Sequence, residues 1–361
     1  MRITLLPAYE NHLWNQYVYR NKYSTVYHRA EWRNIIKDSY GHQSIYIVAK
    51  EAKEGGKEVI CGILPLILID SSLFGTGLYS MPFCDLGGMI ADNLSCEIAL
   101  MNAAIHIANR RRIDTIELRQ SIENGFGFEE LKKHSAYKMD ISVKDDKVRM
   151  LLELPESAEV LLKSFKSKLR NQIKKPIKYG LKAKVGGKEM IDDFYKVFAT
   201  NMRDLGSPVH SKRMISNTMK KFADTAQIVT VYLRTQPVAT GLIIGYKNMM
   251  FNPWSSALHQ YSRLSGNMLL YWTMLTYACE KGYRIFDFGR STRGEGTYKF
   301  KEQWGAKEER INWIVINTGD RSKKTGSPEK HKYRKFIKIW KKMPIRISML
   351  VGPMLRKNIG L

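Results

Sequence analysis

The sequence is poor in cysteine, with only Cys61, Cys84, Cys96 and Cys279 among 361 residues. No pair has C-x-x-C spacing, so neither a disulfide framework nor a thiolate zinc motif is expected. Reduced thiols fit a cytoplasmic setting. Long apolar runs are also missing. The longest, residues 60–69, contains Gly62 and Pro65 and is about half a membrane span. Residues 1–10 turn polar too early for a secretion signal. Acid is scarce as well: 34 Asp and Glu stand against 59 Lys and Arg, a net charge of +25. What remains is 44% hydrophobic and 26% charged, which excludes a disordered chain and is long enough for two domains.

The positive surplus must lie mostly at the surface, since unpaired charge is costly to bury. It favours anionic partners: RNA, acidic lipid or phosphorylated substrates. Two blocks concentrate it. Residues 160–188 hold Lys163, Lys166, Lys168, Arg170, Lys174, Lys175, Lys178, Lys182, Lys184 and Lys188 without an acid. Residues 331–361 hold Lys332, Arg334, Lys335, Lys338, Lys341, Lys342, Arg346, Arg356 and Lys357, again without one. In the first block Leu161, Leu162, Phe165, Leu169 and Ile173 form an apolar stripe, so its lysines are either an RNA-backbone contact or the solvated face of a packed helix. In the second, Phe336, Ile339, Trp340, Met343, Ile347, Leu350, Val351, Met354 and Leu355 recur at helical spacing. That pattern fits a helix lying on an anionic membrane surface, or one docked on its own protein.

Periodicity predicts helices over 11–21, 29–39 and 94–109, strands over 44–50, 59–69 (bent at Pro65) and 115–118, and a hairpin turn at 54–57. The second half repeats this order. A helix is expected over 158–179, ended or kinked by Pro176, and another over 190–204. Strands follow over 228–234, 238–246 and 249–254, then a helix over 267–281 and strands over 284–288 and 311–317. Residues 320–331 read as a linker. The repeated order predicts two copies of one α+β architecture.

The most informative stretch is Phe-Asp-Phe-Gly-Arg-Ser at 286–291, followed by Gly-Thr-Tyr-Lys-Phe-Lys at 296–301 and Trp304-Gly305. A strand ending at Phe288 with a sharp exit at Gly289 would present Arg290 and Ser291 beyond its carboxyl end. Phe300 and Trp304, one helical turn apart, are expected to pack inward and fix Lys301, beside Tyr298. A lysine so held suits a developing oxyanion or a phosphate. Asp287, His210 and His259 are candidate bases. Trp254 is placed to stack on a sugar or base, or to sit in the core. Arg203 either pairs with Asp204 or binds phosphate.

This combination resembles the FemAB-like branch of the GNAT superfamily, in particular variants associated with exopolysaccharide and PEP-CTERM/exosortase loci. Further matching segments are Tyr27-His28-Arg29 through Trp32, Tyr40-Gly41-His42, Gly62 through Leu66, Ser80 through Gly88, and Glu117-Leu118-Arg119. The resemblance spans about residues 5–318. It implies two tandem GNAT-like (acyl-CoA N-acyltransferase) domains, a degenerate one over 1–155 and an active one over 156–318, with a basic amphipathic tail over 319–361. It also implies N-acyl transfer to an amine. Members with known chemistry attach amino acids from aminoacyl-tRNA to peptidoglycan precursors, and the lysine matching Lys301 is implicated in stabilising the transition state. GNAT proteins bind acyl-CoA at a [Gln/Arg]-x-x-Gly-x-[Gly/Ala] loop; here Arg263, Gly266 and Asn267 occupy it, with Met268 at the final small position.

The expected protein is thus a bacterial acyltransferase, cytoplasmic and peripheral at the inner membrane face. It would use a phosphate-bearing donor (aminoacyl-tRNA or acyl-CoA) as co-substrate, with no bound cofactor and no metal. Its acceptor would be an amine on an envelope or exopolysaccharide precursor. Lys301 and Asp287 are the catalytic candidates, and Arg290, Ser291, Tyr298, Phe300, Trp254, Arg203 and His210 the substrate-binding ones. The alternative is a non-catalytic, basic, membrane-adjacent binding module.

Overall fold

The computed structural model describes residues 1–53, 55–71, 75–121, 133, 137, 140–318 and 330–360, with the backbone alone for 330–334. The chain forms two compact units. One comprises Met1–Val148 with the strand from Glu309 and the segment from Asn358; the other runs from Arg149 to Glu308 and includes the C-terminal helices up to Lys357.

The first unit holds a sheet in the order β1 (Arg2–Leu5), β2 (Gln43–Ala52), β3 (Glu58–Ser71), β4 (Gly75–Tyr79), β6 (Thr115–Ser121) and β14 (Lys307–Asn317). Short β5 (Ile90–Ala91) pairs with β3, and β7 (Asp140–Lys144) with β14. Helices α1 (Asn11–Arg20), α2 (Glu31–Tyr40) and α3 (Leu94–Arg111) accompany it. α3 starts where the Asn93 side chain accepts the Cys96 N–H. Its Leu100, Ala104 and Ala108 pack on Ile45, Leu64, Leu66, Ile116 and Leu118 of the sheet. β3 runs through Pro65 without interruption. There, among the described residues, β3 pairs with β2 alone, opposite Tyr46, because its pairs with β5 and β4 lie at 62–63 and 67–71. A missing N–H is tolerated at such a position.

The second unit's sheet runs β8 (Lys147–Glu153), β13 (Ile285–Thr292), β12 (Met249–Ala257), β11 (Gln236–Tyr246), β10 (Ala226–Leu233) and β9 (Leu181–Gly186). Its helices are α4 (Ala158–Ser164), α5 (Ser167–Lys178), α6 (Ile191–Leu205), α7 (Lys212–Lys221), α8 (Gly266–Glu280), α9 (Gly296–Glu302), α10 (Lys330–Lys341) and α11 (Ile345–Arg356). Phe194 and Phe198 of α6, and Leu270, Met274 and Leu275 of α8, are buried with Ile228, Val231, Leu242 and Phe251 of the strands. In each unit a hairpin leads to a strand, a helix and a parallel strand: β4–α3–β6 in the first, β12–α8–β13 in the second.

The helix expected over 158–179 is two helices. Phe165 turns extended (ψ 146°) between them and packs edge-on against Trp272 and Trp304, centroids 6.2 and 5.6 Å away. Pro176 lies buried inside α5 and does not end it. β13 likewise continues past Phe288 to Thr292, so the sharp exit at Gly289 is instead a left-handed kink within the strand (φ 75°). Glycine takes that conformation without penalty. β1, β4, β5, β7, β8, β9 and α7 carried too little periodicity to be anticipated. The chain passes from the first unit to the second at Val148–Arg149, near the expected 155–156, and two later segments are shared between the units. β14 pairs with β6 of the first unit, and the tail helices pack on α6 of the second. The linker expected at 320–331 falls almost wholly outside the described residues, as does Glu54 of the hairpin turn.

Candidate active site

The site grows out of one parallel pair. β12 and β13 pair over Met249↔Ile285, Met250↔Phe286 and Phe251↔Asp287. The ladder ends there, while β12 continues to Ala257 and β13 to Thr292. Backbone groups past that point need other partners. Lys301 supplies some of them. It is buried, and its Nζ donates to the Gly289 carbonyl at 3.0 Å and the Arg290 carbonyl at 2.8 Å. An aromatic cluster holds its short helix. Tyr271 stacks on Phe288 (5.4 Å) and meets Phe300 edge-on (5.0 Å), and Trp304, beside Phe300, is 1% exposed. The pinned ammonium is therefore in place, with two of its donors already serving the β13 backbone.

Asp287 lies at the last paired position, 2% exposed. Its Oδ2 accepts from Arg149 Nε at 2.8 Å and its Oδ1 from the Gly289 N–H at 2.8 Å. Both oxygens are engaged, so the carboxylate locks the Gly289 kink and neutralises a buried guanidinium. Removing one partner of such a pair costs about 3–5 kcal/mol. Arg149 was missed from the sequence, although a lone charge in the apolar run Val148-Arg149-Met150-Leu151-Leu152 was the available signal.

A cleft of about 610 Å³ opens where β12 ends and α8 begins. Asn201, Asp204, Ala257, His259, Gly266, Asn267 and Lys341 are among its walls. Ser265 enters α8 in a left-handed conformation (φ 57°), and no side chain caps the helix. The Gly266 and Asn267 N–H groups lack helical acceptors, whereas the Met268 N–H bonds to the Ser265 carbonyl at 2.9 Å, and the helix dipole adds positive potential. Gly266 and Asn267 of the expected loop thus line the cleft, whereas Arg263 is exposed on the preceding 3₁₀ turn and is not among its walls.

The other candidates distribute as follows. Ser291 is buried, and its Oγ has no hydrogen-bond partner among the described residues. Arg290 is half-buried on β13. Burial and Glu308, to which its hydroxyl bonds, raise the Tyr298 pKa, so that phenol stays protonated at neutral pH. Arg203 pairs with Asp204 (2.6 Å) and donates to the Met343 carbonyl (3.0 Å), a local structural role. Trp254 is 8% exposed and lies 5.8 Å from the His210 ring. His210, expected to meet substrate from a loop, is instead sealed beneath α11. It stacks parallel to Phe198 and accepts from Arg356 Nε at 3.2 Å.

Among the described residues no helix is long and apolar enough to cross a membrane. The tail docks on its own unit. Trp340 is 2% exposed, Ser348 is buried, and Gly352 packs against Val209. This corrects the placement of Trp340 on a lipid-facing stripe.

Residues 163–302 match the model of a family described as acetyltransferase (GNAT) domain. No curated protein matches. Among solved structures, FemX is similar with a TM-score of 0.66 at 14% identity, over 86% of this chain and 97% of that one. The C-terminal domain of a putative lysylphosphatidylglycerol synthetase from Agrobacterium fabrum gives 0.53 at 10%, over 86% and 92%. A tandem GNAT protein from the clavulanic acid pathway gives 0.52 at 10%, over 89% and 99%. At these identities the likeness is one of fold, and it supports the tandem GNAT-like architecture.

Burial first, and Arg356 second, hold the His210 pKa well below its ordinary 6.5. The unfolded chain therefore binds a proton that the folded chain refuses. This stability is fully present above about pH 6.5 and is lost as pH falls. The melting temperature should drop between about pH 7 and 5, at up to about 1.4 kcal/mol per unit from this group. His210→Phe should flatten that slope; an unchanged slope would contradict the assignment.

Proposed function

We propose that this protein, a GNAT-superfamily acyltransferase with a FemX-like fold, moves an acyl or aminoacyl group from a phosphate-bearing donor to an amine on a cell-envelope or exopolysaccharide precursor. The observation that carries this reading is the β12–β13 ladder that ends at Phe251↔Asp287, beside an uncapped helix start facing a cleft. The second unit is the catalytic one, over roughly the span given to it by sequence, and the first is its degenerate counterpart. In the first unit the corresponding helix start is closed by the Asn93 cap. In the second, the amides of Gly266 and Asn267 are free to receive donor phosphate.

The donor carbonyl lies along β13 past Asp287. The acceptor amine attacks it, the carbonyl oxygen gains charge, and the thiolate or alkoxide leaves as the amine loses a proton to water or the leaving group. Lys301 brings positive charge to this region and, through Gly289 and Arg290, fixes the strand. Asp287 with Arg149 acts as a positioning pair. Ser291, Arg290 and Tyr298 are the nearby groups for substrate, and the unpartnered Ser291 hydroxyl gains most from a ligand acceptor. The fold shared with lysylphosphatidylglycerol synthetase and FemX, both named above, supports an envelope acceptor and a donor that is either aminoacyl-tRNA or acyl-CoA.

Purified full-length chain, incubated separately with labelled acyl-CoA and labelled aminoacyl-tRNA plus amino-bearing envelope precursors, should transfer label from one of the two. Ribonuclease should abolish transfer only in the tRNA arm. Lys301→Met should lower kcat by about 10²–10³-fold, measured well below a melting temperature that also falls because two buried carbonyls lose their donor. Full activity in that variant would refute the role of Lys301. Acceptor binding without transfer from either donor would favour the binding-module alternative.

The docked tail supports a site at the inner membrane face. Opposite the buried Ser348 and Gly352, α11 exposes Ile347 (48%), Leu350 (72%) and Met354 (61%), and Ile339 of α10 is 67% exposed. Lys335, Lys338, Lys342 and Arg346 are exposed around them. Apolar tips ringed by cations fit an anionic lipid surface. The full chain should co-sediment with vesicles containing anionic lipid and not with neutral ones, and salt should weaken binding. Leu350→Glu should abolish it; equal binding to neutral vesicles would contradict the reading.

A further inference from the structure

The first unit brings together two thiols that the sequence keeps apart. Cys61 Sγ and Cys96 Sγ lie 3.0 Å from each other, and Glu51 Oε1 lies 3.7 Å from Cys96 Sγ. One ligand atom from each of the three falls within 4.8 Å of the others. Three separate features converge to place them. In the β2–β3 ladder Ala49 faces Gly62 and Lys50 faces Ile60, so Cys61 is the extra residue of a bulge. Bulges of this kind re-aim a side chain out of the regular alternation. The Tyr17 hydroxyl (3.1 Å) and the Asp92 N–H (2.8 Å) both bond to the Cys61 carbonyl and hold the bulge. Cys96 sits in the first turn of α3, whose Asn93 cap fixes that turn and aims the thiol at Cys61. Glu51, near the end of β2, is half-buried and keeps its carboxylate at the rim.

We propose that Glu51, Cys61 and Cys96 form a binding site for a thiophilic divalent cation of the zinc class, with water as the fourth ligand. Tetrahedral zinc with ~2.3 Å bonds to sulfur separates two thiolates by ~3.8 Å, and a sulfur–oxygen pair by ~3.5 Å. The thiols need to spread by under an ångström, and the Glu51 carboxylate is already near its distance from Cys96. Two thiolates and a carboxylate around a divalent cation leave one net negative charge, next to the positive end of α3. Nothing in the transfer reaction calls on this site. It ties β2 and β3 to α3, and its water position leaves it open rather than closed by a fourth protein ligand. The absence of C-x-x-C spacing hid it, because the partners come together through a bulge and a helix start 35 residues apart.

The competing outcome for two adjacent thiols is a disulfide. It would need the sulfurs to close to ~2.05 Å and would leave Glu51 without a role. The full chain, reduced and stripped with chelator, is titrated with Co²⁺. One equivalent should give tetrahedral d–d bands and thiolate-to-cobalt charge-transfer absorption, both lost on adding one equivalent of Zn²⁺. Cys61→Ser and Cys96→Ser should each remove most of the charge-transfer band. Glu51→Gln, a change at the rim that leaves the buried packing intact, should weaken Zn²⁺ binding at least about tenfold. An octahedral cobalt spectrum, a spectrum unchanged in the cysteine variants, or protein isolated two thiols short of four and 2 Da light would overturn the proposal.

Discussion

The second unit is organised around a parallel ladder that stops. Three residue pairs join β12 to β13 and none follows. A strand buried in a sheet cannot leave its polar groups unsatisfied, so the chain must provide for the stretch beyond Asp287. It does so with a buried carboxylate that accepts the Gly289 N–H and a buried ammonium that takes the Gly289 and Arg290 carbonyls. Arg149 balances the first charge, and the rings of Tyr271, Phe288, Phe300 and Trp304 fix the second. The features that look catalytic are the same ones that let the strands stop pairing without collapse.

The first unit uses the same device and closes it. β4 and β6 also pair in parallel over three positions, ending at Tyr79↔Glu117. Glu117, like Asp287, is an acid at the last paired residue, and it too is held by a buried arginine, Arg119, at 3.0 Å. Here the arginine also reaches the Cys84 carbonyl and the backbone of Gly360, and lies over the Trp313 ring. The polar groups are consumed internally and the helix start is capped. Two copies of one plan have thus diverged in what they leave open, which is why the second is assigned the chemistry.

Much of this was legible in the residues. Long amphipathic segments such as the helices expected over 94–109 and 190–204, the hairpins, and the repeated order could be read from period and turn chemistry. So could the pairing of Lys301 with Phe300 and Trp304, because a helical turn places both rings on one side of the lysine. What escaped depended on partners distant in sequence. The break at Phe165 packs on tryptophans far along the chain, Trp272 and Trp304. His210 looked like a loop residue until α11 covered it. Asp287 looked like a base because Arg149, its ion-pair partner, is 138 positions away. The tail showed its period correctly, but period alone does not say which side faces protein, and Trp340 lies on the protein side.

The most direct test is residue-resolved amide hydrogen exchange on the full chain, with and without saturating non-hydrolysable acyl-CoA and, separately, aminoacyl-tRNA. The account predicts slower exchange in the presence of the productive donor at residues 266–267, where helix-start amides would gain a partner, and along β12 beyond Phe251, where amides freed from the ladder would. Protection confined to the first unit, with those amides unchanged under either donor, would contradict it.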